Sequence, residues 1–84
     1  MTYRIELKPS AKRDLRKLPR DIQDRIGLAL DELINGLSGD VKKLTNHTPE
    51  YRLRVGDYRV LFNLIDATII IEQILHRKDA YGRS

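Results

Sequence analysis

Arg52, Arg54 and Arg59 carry the strongest chemical signal in this sequence, spread over Tyr51-Arg-Leu-Arg-Val-Gly-Asp-Tyr-Arg-Val-Leu-Phe62. Gly56-Asp57, between two runs that alternate apolar and polar residues, is a two-residue hairpin signal. With that pair as the turn, Val55 faces Tyr58 across the hairpin and Arg54 falls directly opposite Arg59, with Arg52 two residues along the same face. Like charges placed opposite one another weaken a sheet, so stability does not account for the cluster. A bound phosphate does, because planar guanidinium groups make paired, charge-assisted hydrogen bonds to its oxygens and stay cationic at any working pH. The competing expectation is a solvated face with the arginines paired to Asp57 or Glu50, and a bulge in the turn would move Arg54 and Arg59 out of opposition.

A second cluster, His76-Arg77-Lys78-Asp79-Ala80-Tyr81, follows the last apolar run. Taken alone it reads as solvated chain, with His76 a surface residue at a strand end. With two histidines and no cysteine, the sequence offers no Ser-His-Asp set, no zinc-ligand spacing and no glycine-rich phosphate loop. No metal or cofactor is therefore expected. Glu50 and Glu72 could act as an acid and base pair only through a contact that the sequence does not reveal.

The elements that must position these residues follow from periodicity. Tyr3, Ile5 and Leu7 alternate with Arg4, Glu6 and Lys8, which predicts a strand ending at Pro9. Ser10 is the expected N-cap of a short basic helix bearing Ala11, Leu15 and Leu18 on one side and Lys12, Arg13, Arg16 and Lys17 elsewhere. Pro19 interrupts it and suits the first turn of a second helix, favoured by Asp21 and Asp24 near the positive end of its dipole. Ile22, Ile26, Leu30, Leu33, Ile34 and Leu37 mark that helix's apolar stripe, and Gly36 and Gly39 end it. Residues 40–50 read as a connecting loop with room for one short extended piece. Three strands follow, turning at Gly56-Asp57 and Asp66-Ala67 and ending near Arg77. The expected fold is α+β: an N-terminal strand, a two-helix hairpin and a three-stranded β-meander. Together they form one mainly antiparallel four-stranded sheet with the helices on one face.

Eighty-four residues, 40% of them hydrophobic, support one core and hence a single domain over residues 1–84. Without cysteine, packing must supply the stability. Apolar runs such as Ile69-Ile70-Ile71 are too short to span a bilayer, and the opening residues have no signal-peptide core, so a cytoplasmic location and no membrane partner are expected. The formal net charge of +4 suits a polyanionic partner without requiring one.

The segment from Tyr51 to Phe62, followed by Ile-Leu-His-Arg-Lys-Asp-Ala-Tyr81, resembles the RelE branch of the RelE/ParE toxin superfamily. The likeness extends over essentially the whole chain, including the Lys-Leu-Pro helix break and the Lys42-Lys43-Leu44 approach to the arginine strand. The Gly-Asp-Tyr-Arg-Val-Leu core points to the superfamily, and the closing motif narrows it to the RelE branch. For such a toxin the resemblance implies a metal-independent endoribonuclease, an mRNA interferase that cleaves mRNA in the ribosomal A site and so inhibits translation. It places Arg52, Arg54, Arg59, Arg77 and Tyr81 where the family keeps its functional basic residues and tyrosine. Some members have lysines in place of Arg52 and Arg54, which argues against any role here that needs those side chains to lose a proton.

The expected reaction is attack of a 2′-hydroxyl on its adjacent phosphate, with Arg59, Arg52 and Arg54 stabilising the transition state and Arg77 serving the leaving oxygen. Tyr81 is the leading general base. A free phenol has a pKa of about 10, so neighbouring cations would have to lower it. His76 is a further candidate for proton transfer. Lys42, Lys43 and Lys78 are expected to add RNA contacts. The expected partners are a cognate antitoxin, the ribosome and mRNA, with operator DNA reached only through the antitoxin complex. Two alternatives stay open: a ParE-like inhibitor of DNA gyrase, and a non-catalytic module for antitoxin binding and autoregulation.

Overall fold

Alternating apolar residues build one sheet in this protein, and a helical stripe covers it. The computed structural model describes residues 2–79. The elements are β1 (Arg4–Leu7), α1 (Pro9–Arg16), α2 (Arg20–Ile34), β2 (Asp40–Lys43), β3 (Tyr51–Val55), β4 (Tyr58–Ile65) and β5 (Thr68–His76). The sheet order is β1-β5-β4-β3-β2, with β1 parallel to β5 and the other pairs antiparallel. Among the described residues, no helix is long and apolar enough to cross a membrane.

The sheet therefore has five strands, where the sequence predicts four. The additional strand, β2, pairs Asp40 with Arg54, Val41 with Leu53, Lys42 with Arg52 and Lys43 with Tyr51. Val41 is its one apolar residue, so no hydrophobic alternation announces it. Its strand conformation comes from the backbone edge that β3 presents.

One face of the sheet holds the core. Leu53, Val60, Phe62, Ile69, Ile71 and Ile74 are buried against Ala11 of α1 and Ile26, Leu30 and Leu33 of α2. The Tyr51 and Phe62 rings stack with centroids 5.2 Å apart, joining β3 to β4 on this side. The expected stripe on α2 is thus the buried one at Ile26, Leu30 and Leu33, with Ile22 packed against it; the helix ends at Ile34, so Leu37 of the expected stripe reaches the core from beyond the helix.

Two helix ends differ from expectation. Pro9 already opens α1, so Lys8 is the N-cap residue and Ser10 lies inside the helix. Released from capping, the Ser10 hydroxyl donates to the Glu72 carbonyl at 2.8 Å. Pro19 is the residue that caps α2, one place before its first turn.

Asp14 makes a second such bond to β5, its carboxylate accepting the Ile74 backbone N–H at 3.1 Å. The β1–β5 ladder runs only to Leu7 and Ile71, so these two side chains of α1 serve the part of β5 beyond it. Asp14→Ala removes the acceptor of a partly buried N–H and is expected to cost about 1–3 kcal/mol in urea unfolding, with the m-value unchanged. An unaltered midpoint would refute this role for Asp14.

Two turns and a bulge set the register of the meander. Gly56 has φ +59° and Asp57 is outside the left-handed region, the pattern of a II′ hairpin. Asp66 and Ala67 have φ +48° and +63°, the pair of left-handed residues that a I′ turn requires. Between β4 and β5 the register shifts, since Leu61 pairs with Gln73 but Phe62 with Ile71, which leaves Glu72 as an extra residue on β5.

Candidate functional site

The face of the sheet turned away from the helices carries the cations. Arg54 lies directly opposite Arg59 and Val55 opposite Tyr58, the register expected from Gly56-Asp57 as the turn. Arg52 lies on the same face, opposite Leu61, and β2 adds Lys42 beside Arg52 and Asp40 beside Arg54. Leu75 on β5 faces Arg59 and Gln73 faces Leu61. Leu53, Val55, Tyr58 and Val60 take the opposite side and join or line the core.

The three arginines tolerate one another because Arg59 turns away and Arg52 and Arg54 share the Asp40 carboxylate. Arg59 turns back toward the hairpin, where its Nη1 donates to the Gly56 carbonyl at 3.1 Å and the Tyr58 carbonyl at 3.0 Å. Arg54 leans the other way, its Nη1 4.0 Å from Asp40 Oδ2. Arg52 Nη1 lies 3.3 Å from Asp40 Oδ1 and donates as well to the Asp40 carbonyl at 3.3 Å. Among the described residues, Asp40 is thus the acidic partner of Arg52 and Arg54, in place of Asp57 or Glu50. It was missed with β2, since only the pairing of that strand reveals what stands opposite Arg54.

Their environments differ as well. The Arg52 side chain is only 12% exposed, and its Nε is buried without a hydrogen-bond partner, whereas that of Arg54 is 54% exposed. Arg59 is half-buried and, among the described residues, engages backbone carbonyls but no carboxylate. Arg52 is therefore held in place, and Arg54 and Arg59 are the heads better placed to exchange present partners for an incoming anion.

The second cluster divides between the two sides of the sheet. The Arg77 N–H donates to the Asp57 carbonyl at 2.7 Å, extending the β4–β5 ladder by one step. That step puts Arg77 on the Arg59 side, and its Nε lies 4.0 Å from Asp57 Oδ1. His76 pairs with Tyr58 on the helix side, the two rings meeting edge to face with centroids 5.4 Å apart. Its Nδ1 accepts the Lys78 backbone N–H at 3.2 Å. The structure thus brings Arg59 and Arg77 to one hairpin turn and separates His76 from them. Lys43 alternates to the side opposite Lys42, and Lys78 is exposed just past β5. Tyr81 lies outside the described residues.

Chemically, this arrangement can neutralise and orient a phosphate with Arg54, Arg59 and Arg77 around the Gly56-Asp57 turn, backed by Arg52 and Lys42. It brings no imidazole to that place.

A family model described as the ParE toxin of type II toxin-antitoxin system, parDE, matches residues 5–81. Toxin RelE3 of Methanocaldococcus jannaschii is 38% identical over 74 residues, which cover 82% of this chain and 84% of that protein. Among solved structures, a chain of the RelB-RelE antitoxin-toxin complex from Methanococcus jannaschii matches with a TM-score of 0.75 and 34% identity, covering 89% of this chain and 93% of that one. A chain of the archaeal RelE-RelB complex from Pyrococcus horikoshii OT3 matches with a TM-score of 0.76 and 30% identity, over 100% of both chains.

Proposed function

Since this chain belongs to the RelE/ParE family of toxins of type II toxin–antitoxin systems and is of the RelE type, we propose that it is a ribosome-dependent endoribonuclease that cleaves mRNA in the A site. The observation that carries this reading is the directly opposed Arg54 and Arg59 on an uncovered sheet face, with no carboxylate engaging Arg59 among the described residues. Such a pair is unfavourable in the empty protein and favourable around a phosphodiester.

In the proposed reaction the RNA 2′-oxygen bonds to the adjacent phosphorus as the bond from phosphorus to the 5′-oxygen breaks. The products are a 2′,3′-cyclic phosphate and a 5′-hydroxyl. Arg59 and Arg54 stabilise the charge that builds on the non-bridging oxygens, with Arg52 fixed behind them. Arg77, at the same turn, balances charge on the leaving 5′-oxygen, which takes its proton from water. Tyr81 takes the 2′-hydroxyl proton. His76 stands with Tyr58 on the helix side, which weighs against it as the base. Lys42 extends the cationic face toward the sheet edge, while Lys43 and Lys78 supply charge at its margins.

So few acid-base groups imply that the ribosome does much of the substrate orientation. Purified toxin is therefore expected to cleave mRNA on programmed ribosomes at least about 10²-fold faster than the same RNA free in solution, a modest share of what orientation can supply. Equal rates on both substrates would overturn the ribosome-dependent reading. The ParE description of the family model supports a second reading, inhibition of DNA gyrase. A supercoiling assay separates the two: arrest of supercoiling with translated mRNA left intact would favour gyrase.

The matched archaeal toxins were solved with RelB antitoxins, which supports a cognate antitoxin for this chain as well. A disordered, acidic segment that folds over the cationic face would suit it. Operator DNA would then be reached through that complex, and the site of action is the cytoplasm.

A further inference from the structure

We propose that Asp40 is a built-in stand-in for phosphate, which occupies Arg52 and Arg54 in the empty protein and must be displaced when RNA binds; this rests on the nucleic-acid reading of the face. Asp40 stands directly across from Arg54 and presents one carboxylate oxygen to each arginine, Oδ1 at 3.3 Å from Arg52 and Oδ2 at 4.0 Å from Arg54. A phosphodiester offers its two non-bridging oxygens in the same manner.

The burial pattern explains why the position needs an anion. Arg52 is 12% exposed with an unpartnered Nε, so its charge cannot turn freely into solvent. Among the described residues, the acceptors that meet its head are the Asp40 carbonyl and the Asp40 carboxylate. Asp40 and Arg54 are 55% and 54% exposed, which makes their own contact weak and exchangeable. The face is thus divided: Arg59, which no carboxylate engages among the described residues, receives a phosphate first, and Arg52 and Arg54 are released only if that phosphate, or its neighbour, is positioned well enough to replace a carboxylate. RNA held in one geometry satisfies that condition, and RNA tumbling in solution meets it rarely. Asp40 therefore acts as a specificity-determining residue against free RNA.

Asp40→Asn keeps the shape and an acceptor for Arg52 while removing the charge. The test is binding of a short 2′-O-methylated single-stranded RNA, which cannot be cleaved, to wild type and variant across a salt series. The expected result is binding tighter by about two- to fivefold at low salt, the worth of an exposed ion pair. The slope of log affinity against log salt is also expected to steepen by about 0.7, one further phosphate contact on a single strand. Equal or weaker binding with an unchanged slope overturns the proposal, and a lower melting temperature with that result would make Asp40 a structural brace only.

Arg59→Ala, measured alongside, separates this failure from that of the underlying reading. If Arg59→Ala weakens binding and Asp40→Asn does not strengthen it, the stand-in fails alone. Should neither variant alter binding, both fail.

Discussion

Arg59→Ala is expected to abolish growth arrest and to lower single-turnover cleavage on programmed ribosomes by about 10²–10³-fold, the range for removal of one charge-stabilising donor. The fold should survive the change. Arg59 lies outside the core, on the face away from the helices, and its hydrogen bonds are to carbonyls of the hairpin turn that water can reach when the side chain is gone. Loss of the charge also relieves the opposition to Arg54, which offsets part of what those bonds contribute. Arg59→Lys retains the charge but loses the planar fork, so its rate should fall between wild type and the alanine variant. A toxin that still arrests growth at equal expression with alanine at this position would sink the arginine-face reading.

Tyr81→Phe should produce a deficit of comparable or greater size, on the order of the 10²–10⁴-fold assigned to general acid-base catalysis. Phenylalanine retains the ring and deletes only the hydroxyl, so a covering role predicts near-normal cleavage. The deficit must appear in the single-turnover rate with ribosome binding preserved. His76→Ala is the informative companion. Because His76 meets Tyr58 on the helix side, its loss is expected to cost stability through that ring contact and to leave the cleavage step within a few-fold of wild type. Normal cleavage by Tyr81→Phe together with a collapse in His76→Ala would transfer proton handling to His76 and overturn the assignment.

What the sequence discloses about the site depends on where period-2 alternation survives. The β3–β4 hairpin is legible because Gly56-Asp57 specifies a tight turn and apolar residues alternate on both sides of it, so the opposition of Arg54 and Arg59 follows by counting. The face of His76 is not obtained by such counting. From the Asp66-Ala67 turn, an unbroken ladder would set Ile74 opposite Arg59 and carry His76 onto the arginine side. The extra residue at Glu72 instead sets Leu75 opposite Arg59 and inverts every side chain beyond it. No residue type at that point marks the bulge. Asp40 was hidden for another reason: β2 has too little apolar character to be read as a strand, and a carboxylate in a loop points to no particular partner. Ser10 illustrates a third limit, in which a good capping residue is pre-empted by the proline before it and used for a long-range bond.

The parallel pairing of β1 with β5 bears on when this protein comes into being during its own synthesis. Arg4 meets Thr68 and Leu7 meets Ile71, residues roughly sixty positions apart, and among the described residues β1 has no other strand neighbour. Closing so long a loop adds little to the thermodynamic cost, since each doubling of length costs only about 0.6 kcal/mol, but it does fix an order of events. At about 5–20 residues per second, the first strand waits on the order of 3–13 s for its partner to be made. The hairpin bearing Arg54 and Arg59 is translated within that interval, before β5 exists to place Leu75 and Arg77 beside it. The proposed anion-binding surface is thus completed only when β5 has left the exit tunnel, so on the proposed ribosome-dependent function a nascent copy should be inert toward the ribosome that is making it.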